Sequence, residues 1–93
     1  MSLLQASQNN PALARLMDLN RESQARLLAI TPLIPAAMRA SVQAGPFEAG
    51  TWCLLLSGAT ASAKLRQLLP AFEAHLRTVA LPVTSIRLKV QKP

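Results

Sequence analysis

The sequence predicts a small α+β domain, on three observations from its second half. Thr51-Trp52-Cys53-Leu54-Leu55-Leu56-Ser57 is an apolar run bounded by Gly50 and Gly58, short enough to be a half-buried or buried strand. After it, Ala61, Leu65, Leu68, Phe72, Leu76 and Val79 recur at intervals of three and four, which makes one stripe of a helix. Then Ile86, Leu88 and Val90 alternate with Ser85, Arg87, Lys89 and Gln91. A last strand therefore hides an aliphatic side and offers water two cations.

The full predicted order is helix, short helix, strand, strand, kinked helix, strand. Residues 1–9 are polar and aperiodic apart from Leu3 and Leu4 and read as a loose leader, with residues 10–93 as a single domain. Asn10-Pro11 is a helix start, because Asn caps free amides and Pro at the first helical position loses no bond. This helix is expected to reach about Ala29, with Ala12, Leu16, Leu19, Leu27 and Ile30 on one side. The middle of the stripe is Ser23, flanked by Asn20, Arg21, Glu22 and Gln24, so only the two ends look anchored. Thr31-Pro32 ends the helix, since a residue before proline is pushed out of the α region. A short second helix starts near Pro35 and carries Ala36, Ala37, Met38 and Arg39.

Ser41-Val42-Gln43-Ala44 reads as a short strand with Val42 and Ala44 inward, and Pro46 marks it as an edge. Gly45-Pro46-Phe47-Glu48-Ala49-Gly50 is then a connection that returns the chain into the Trp52 strand as a hairpin. Ser57-Gly58-Ala59-Thr60 caps the next helix, and Glu73 with Arg77 forms an i,i+4 pair on its exposed side. Pro70 falls inside that helix, but the apolar stripe continues in phase across it, which predicts a kink rather than a break. Leu81-Pro82 ends the helical part.

At 93 residues there is room for one domain, whose chain buries about 60 to 65% of its unfolded surface, too thin a core for a deep catalytic cleft. Hydrophobic residues make up 51% of the chain but aromatics only 3%, with no Tyr, so the core is built from Leu, Ala, Val and Ile. Ten Lys and Arg against four Asp and Glu give a formal charge of +6 and a pI near 11.3. That balance points to a polyanionic partner; the plain alternative is a solvated positive surface. Cys53 has no second cysteine to pair with and, with the lone His75, cannot assemble a zinc set. A soluble protein of the reducing cytoplasm is expected, since the longest apolar run is far short of a membrane span and the N-terminus lacks a signal-peptide pattern.

No residue set looks catalytic. Trp52 could stack a base, but it alternates with Leu54 and Leu56 and is assigned to the core. Cys53 lies on the other side of that strand and reads as an inert packed thiol. His75 reads as a surface histidine, and Asp18, Glu22, Glu48 and Glu73 are too scattered for a metal or acid–base pair. The candidate nucleic-acid contacts are Arg87, Lys89 and Lys92 on and after the last strand, with Lys64 and Arg66 at the start of the kinked helix. Cations on an open strand face can meet phosphates without being buried, and the free amides from Gly58 to Ala61 add the positive end of a helix.

Gly50-Thr51-Trp52-Cys53-Leu54-Leu55-Leu56, followed by Ala63-Lys64-Leu65-Arg66-Gln67-Leu68-Leu69-Pro70, Leu76-Arg77 and Pro82-Val83-Thr84-Ser85-Ile86-Arg87-Leu88, resembles the DciA family in order and spacing. This bacterial family was formerly a domain of unknown function and is associated with loading or operating the replicative DNA helicase. The upstream Leu33-Ile34-Pro35 also fits, and the likeness covers residues 13–90. The resemblance implies a fold similar to a K-homology (KH) domain, a three-stranded sheet with helices packed on one face. It further implies a non-enzymatic adaptor between the hexameric helicase and single-stranded or forked DNA, without cofactor, in the bacterial cytoplasm and at the nucleoid when at forks. The sequence departs from nucleic-acid-gripping KH domains in one respect: Leu68-Leu69-Pro70-Ala71 stands where a Gly-x-x-Gly loop would clamp phosphates. The polar-centred first helix and Leu55 are the expected helicase-facing surface. The other readings are a small RNA-binding KH-like module and a homodimeric structural module; a monomer is expected.

Overall fold

The computed structural model describes residues 11–91. The expected leader, the Asn10 cap and Lys92 lie outside them. Helix α1 spans Pro11–Ile30, 3-10 turns follow at Thr31–Leu33 and Ala36–Ser41, and strands β1 (Val42–Glu48) and β2 (Thr51–Leu56) form a hairpin. Helix α2 (Ala59–Thr78) then leads to strand β3 (Ser85–Val90). The sheet has the order β1-β2-β3, antiparallel between β1 and β2 and parallel between β2 and β3. The α+β class and the element order thus match the sequence reading.

Alternation places Trp52, Leu54 and Leu56 on one face of the middle strand, all fully buried. Both helices cover this face, joining Ile30, Leu65, Phe72 and Leu76 to one core with Val42 and Ile86. Trp52 is therefore core, as its alternation predicted.

Between Pro35 and Gly50 the structure refines one expectation and corrects two. The short second helix expected near Pro35 is present as a 3-10 helix over Ala36–Ser41, with Pro35 holding Ile34 extended (φ −84°, ψ 129°) just before it. Arg39 Nε donates to the carbonyls of Thr31 and Ile34 at 3.1 and 3.0 Å and closes this segment. Strand β1 does not stop at Ala44 but runs through Pro46 to Glu48, with a register shift between Ala44 and Phe47. Pro46 is tolerated because β1 is an edge and the irregularity releases its missing N–H from the ladder. The turn is only Ala49-Gly50, both at positive φ (52° and 84°), between the paired Glu48 and Thr51. A Cβ at Gly50 would run into Thr84, whose N–H donates to the Gly50 carbonyl at 2.7 Å. Glycine there lets β3 start against the hairpin.

The middle of α1 is its anchor, not its weak point. Ser23 is 1% exposed, whereas Leu16, expected to face inward, is 64% exposed. The N-terminal half of α1 carries Leu13, Leu16 and Met17 outside the core.

Helix α2 is continuous through Pro70, and Ala61, Leu65, Phe72 and Leu76 are buried as the stripe predicted. Gly58 occupies its N-cap without a side-chain bond, so Ser57 does not cap it. Nor do Glu73 and Arg77 pair; the ion pairs among the described residues are Asp18–Arg21 and Glu22–Arg26. Val79 falls past the helix end and is 42% exposed. There Ala80 takes φ 61°, Leu81 N–H donates to Leu76 O at 2.8 Å and Ala80 N–H to Arg77 O at 3.3 Å. This is a Schellman stop with alanine in the left-handed position. Among the described residues no helix is long and apolar enough to cross a membrane.

Candidate nucleic-acid interface

The register of β2 with β3 decides where the cations stand. Trp52 pairs with Ile86 on the helix-covered face, and Cys53 pairs with Arg87 and Leu55 with Lys89 on the other. Among the described elements, the N-terminal half of α1 reaches that second face at Leu55, on the β1 side. Cys53 and Leu55 are half-buried in the middle of it, and Arg87 and Lys89 are exposed beside them. Side chains two apart on a strand stand about 6.6 Å apart, so the two cations form a short row along β3. Neither has an ion-pair partner among the described residues. At the head of the row Thr51 Oγ1 and Ser85 Oγ lie 3.2 Å apart. A depression of about 400 Å³ opens beside Arg87, between Pro46, Glu48, Thr51 and Cys53. The surface is thus an apolar strip edged by cations, with hydroxyls at one end. It can hold an anion chain by charge, and it offers no aromatic ring for stacking.

Lys64 and Arg66 are exposed on α2, and α2 packs on the opposite side of the sheet from Arg87 and Lys89. They also flank the buried Leu65, so at about 100° per residue they point to opposite sides of the helix. The cations expected together therefore divide between two layers. Among the described members of that set, Arg87 and Lys89 share one face.

A second feature lies where α1 overhangs β1. A groove of about 430 Å³ runs between Leu16, Leu19 and Asn20 of the helix and Pro46, Phe47 and Leu55 of the sheet. It brings together the two places expected to face a partner, the first helix and Leu55. Gly45 keeps this wall thin: a Cβ there would sit 2.9 Å from the Cys53 carbonyl and 3.1 Å from Leu55 Cγ.

Sequence reasoning missed Arg26. Its guanidinium is buried, with Nη1 donating to Glu22 Oε2 at 2.7 Å and to the Glu22 carbonyl at 3.1 Å, and Nη2 to the Pro82 carbonyl at 3.0 Å. Its Cζ stands 4.1 Å from the centroid of Phe47, while Nε has no partner. One side chain thus ties α1 to the β1 strand and to the segment entering β3. The signal was its phase, since Leu19, Ser23, Arg26 and Ile30 follow the three-and-four spacing of a core stripe.

Among the described residues no group of three or more His, Cys, Asp or Glu could hold a metal ion. Cys53 is a half-buried free thiol, and His75 is half-buried near the end of α2. The chain matches no protein-family model and no curated protein.

Proposed function

We propose that this protein is a non-enzymatic, DciA-like adaptor that helps load or operate the replicative DNA helicase and binds nucleic acid weakly and without sequence preference. The observation that carries the nucleic-acid part is the row of Arg87 and Lys89, exposed on β3 without an ion-pair partner among the described residues, in a chain with formal charge +6. Contacts from such a row go to phosphates, which position a strand but carry no base information. With Trp52 buried, no stacking platform adds affinity on this face, which fits weak and salt-sensitive binding.

The helicase part is supported by the resemblance and by the apolar groove of Leu16, Leu19 and Leu55, adjacent to the basic face through Leu55. In this reading the groove engages the helicase while the β3 face holds single-stranded or forked DNA. A KH-like RNA-binding module would share the charge and the sheet, and it is separated by partner. The experiment is co-purification with a bacterial hexameric replicative helicase at micromolar concentrations across several salt conditions. Comigration that Leu16→Asp weakens supports the adaptor; clean separation at every salt concentration refutes it.

A further inference from the structure

The two edges of the sheet differ. Strand β1 ends the sheet with an edge broken by Pro46 and by the register shift between Ala44 and Phe47, two of the devices that keep an edge from pairing with another chain. Strand β3 ends the other side with six residues in unbroken register and neither proline nor bulge. Its unused backbone groups can be named. Ser85 and Gln91 donate their N–H groups toward β2, to Gly50 O at 3.4 Å and Leu56 O at 2.7 Å. Because successive residues of a strand aim their N–H and C=O at alternate edges, Ile86, Leu88 and Val90 aim theirs outward. No described strand lies beyond β3.

We propose that the outer edge of β3 receives an extended acidic segment of a partner protein by strand addition. The backbone groups of Ile86, Leu88 and Val90 supply the ladder, as in other edge-strand recognition. Charge chooses the occupant. In a second copy paired antiparallel, with both helix layers on one side, Arg87 and Lys89 would face the same cations of the first, and like charges directly opposite are destabilising. A strand with carboxylates at alternate positions places them beside Arg87 and Lys89 on the open face. Its intervening side chains then fall beside half-buried Leu88 and exposed Val90 on the other face. The inference goes beyond the nucleic-acid reading, because the outward backbone groups carry it and a polynucleotide has no use for them in register.

The probe is a fluorescein-labelled decapeptide of alternating Glu and Thr, compared with the same peptide N-methylated at every Thr and with a Lys–Thr counterpart. Anisotropy reports binding, and amide exchange by NMR reports the edge. The expected result is binding of the Glu–Thr peptide alone, with at least tenfold slower exchange at the Leu88 and Val90 amides. Val90→Pro should lower that affinity at least tenfold. The Val90 N–H faces outward, so proline there spares the bonds to β2, and an unchanged thermal midpoint verifies the fold. Equal binding of the N-methylated peptide would reduce the effect to charge and overturn the proposal. So would unprotected Leu88 and Val90 amides with peptide bound, a doubled molar mass of the protein alone with those amides protected, or binding of a single-stranded oligonucleotide but not the peptide.

Discussion

Trp52 Nε1 donates to Ser23 Oγ at 2.8 Å, and Ser23 Oγ donates in turn to the Gly45 carbonyl at 2.6 Å. One hydroxyl in the middle of α1 thereby satisfies the buried indole of β2 and a carbonyl at the irregularity of β1. Removing it leaves both groups without a partner in a site of low dielectric. Ser23→Ala should destabilise the fold by about 2 to 4 kcal/mol, since each orphaned buried group costs about 1 to 3 kcal/mol. Chemical denaturation gives the value. A loss below 0.5 kcal/mol, on the order of an ordinary surface change, would mean that the relay is replaced by solvent.

Arg26 and Glu22 form a lopsided pair, with side chains 6% and 50% exposed. Truncating the buried member removes its bond to Pro82, its place over Phe47 and its packing together, so Arg26→Ala should cost about 3 kcal/mol. Glu22→Gln keeps an acceptor and changes only a half-exposed charge, so it should cost about 1 kcal/mol or less. Equal losses in thermal or denaturant unfolding would show that the ion pair, not the position of the guanidinium, holds α1 to the sheet.

Ala80 sits at φ 61° in the stop of α2, a conformation that costs a residue with a Cβ about 1 to 2 kcal/mol. Glycine removes that strain but adds freedom to the unfolded chain. Ala80→Gly should therefore stabilise the protein by roughly 0.5 to 1 kcal/mol, read as a rise in melting temperature. A fall would contradict the left-handed stop.

Leu65 is fully buried at the centre of the α2 stripe, and His75 is half-buried with no side-chain hydrogen bond among the described residues. Leu65→Ala should cost about 2 to 5 kcal/mol and His75→Ala under 1 kcal/mol. The opposite ranking in thermal unfolding would put the helix in the wrong phase.

What was legible in the sequence follows from which patterns are local. The α2 stripe, the alternation of β2 and the two-faced β3 repeat over a few residues, so periodicity placed Leu65, Phe72, Trp52 and Arg87 correctly. Pro46 located an edge, but its run with Gly45 read as a connection. An edge strand can carry both residues when its ladder is irregular, and only pairing with β2 reveals that. Ser23 read as a polar gap in the α1 stripe and Arg26 was missed because their partners, Trp52, Phe47 and Pro82, are distant in sequence. The basic set was legible by composition, while its division between α2 and the open sheet face depends on which side of the sheet the crossover helix packs.

The central claim, that Arg87 and Lys89 exposed on β3 hold phosphates, is tested most directly by a salt titration. Fluorescence anisotropy would follow binding of a labelled single strand to the native protein and to Arg87→Glu/Lys89→Glu. The account predicts weaker binding by the double variant to strands of any sequence. It also predicts a log–log salt dependence flatter by roughly 0.7 for each phosphate that the variant no longer neutralises. Equal affinities with equal slopes would contradict it and leave the basic strand face a solubility feature.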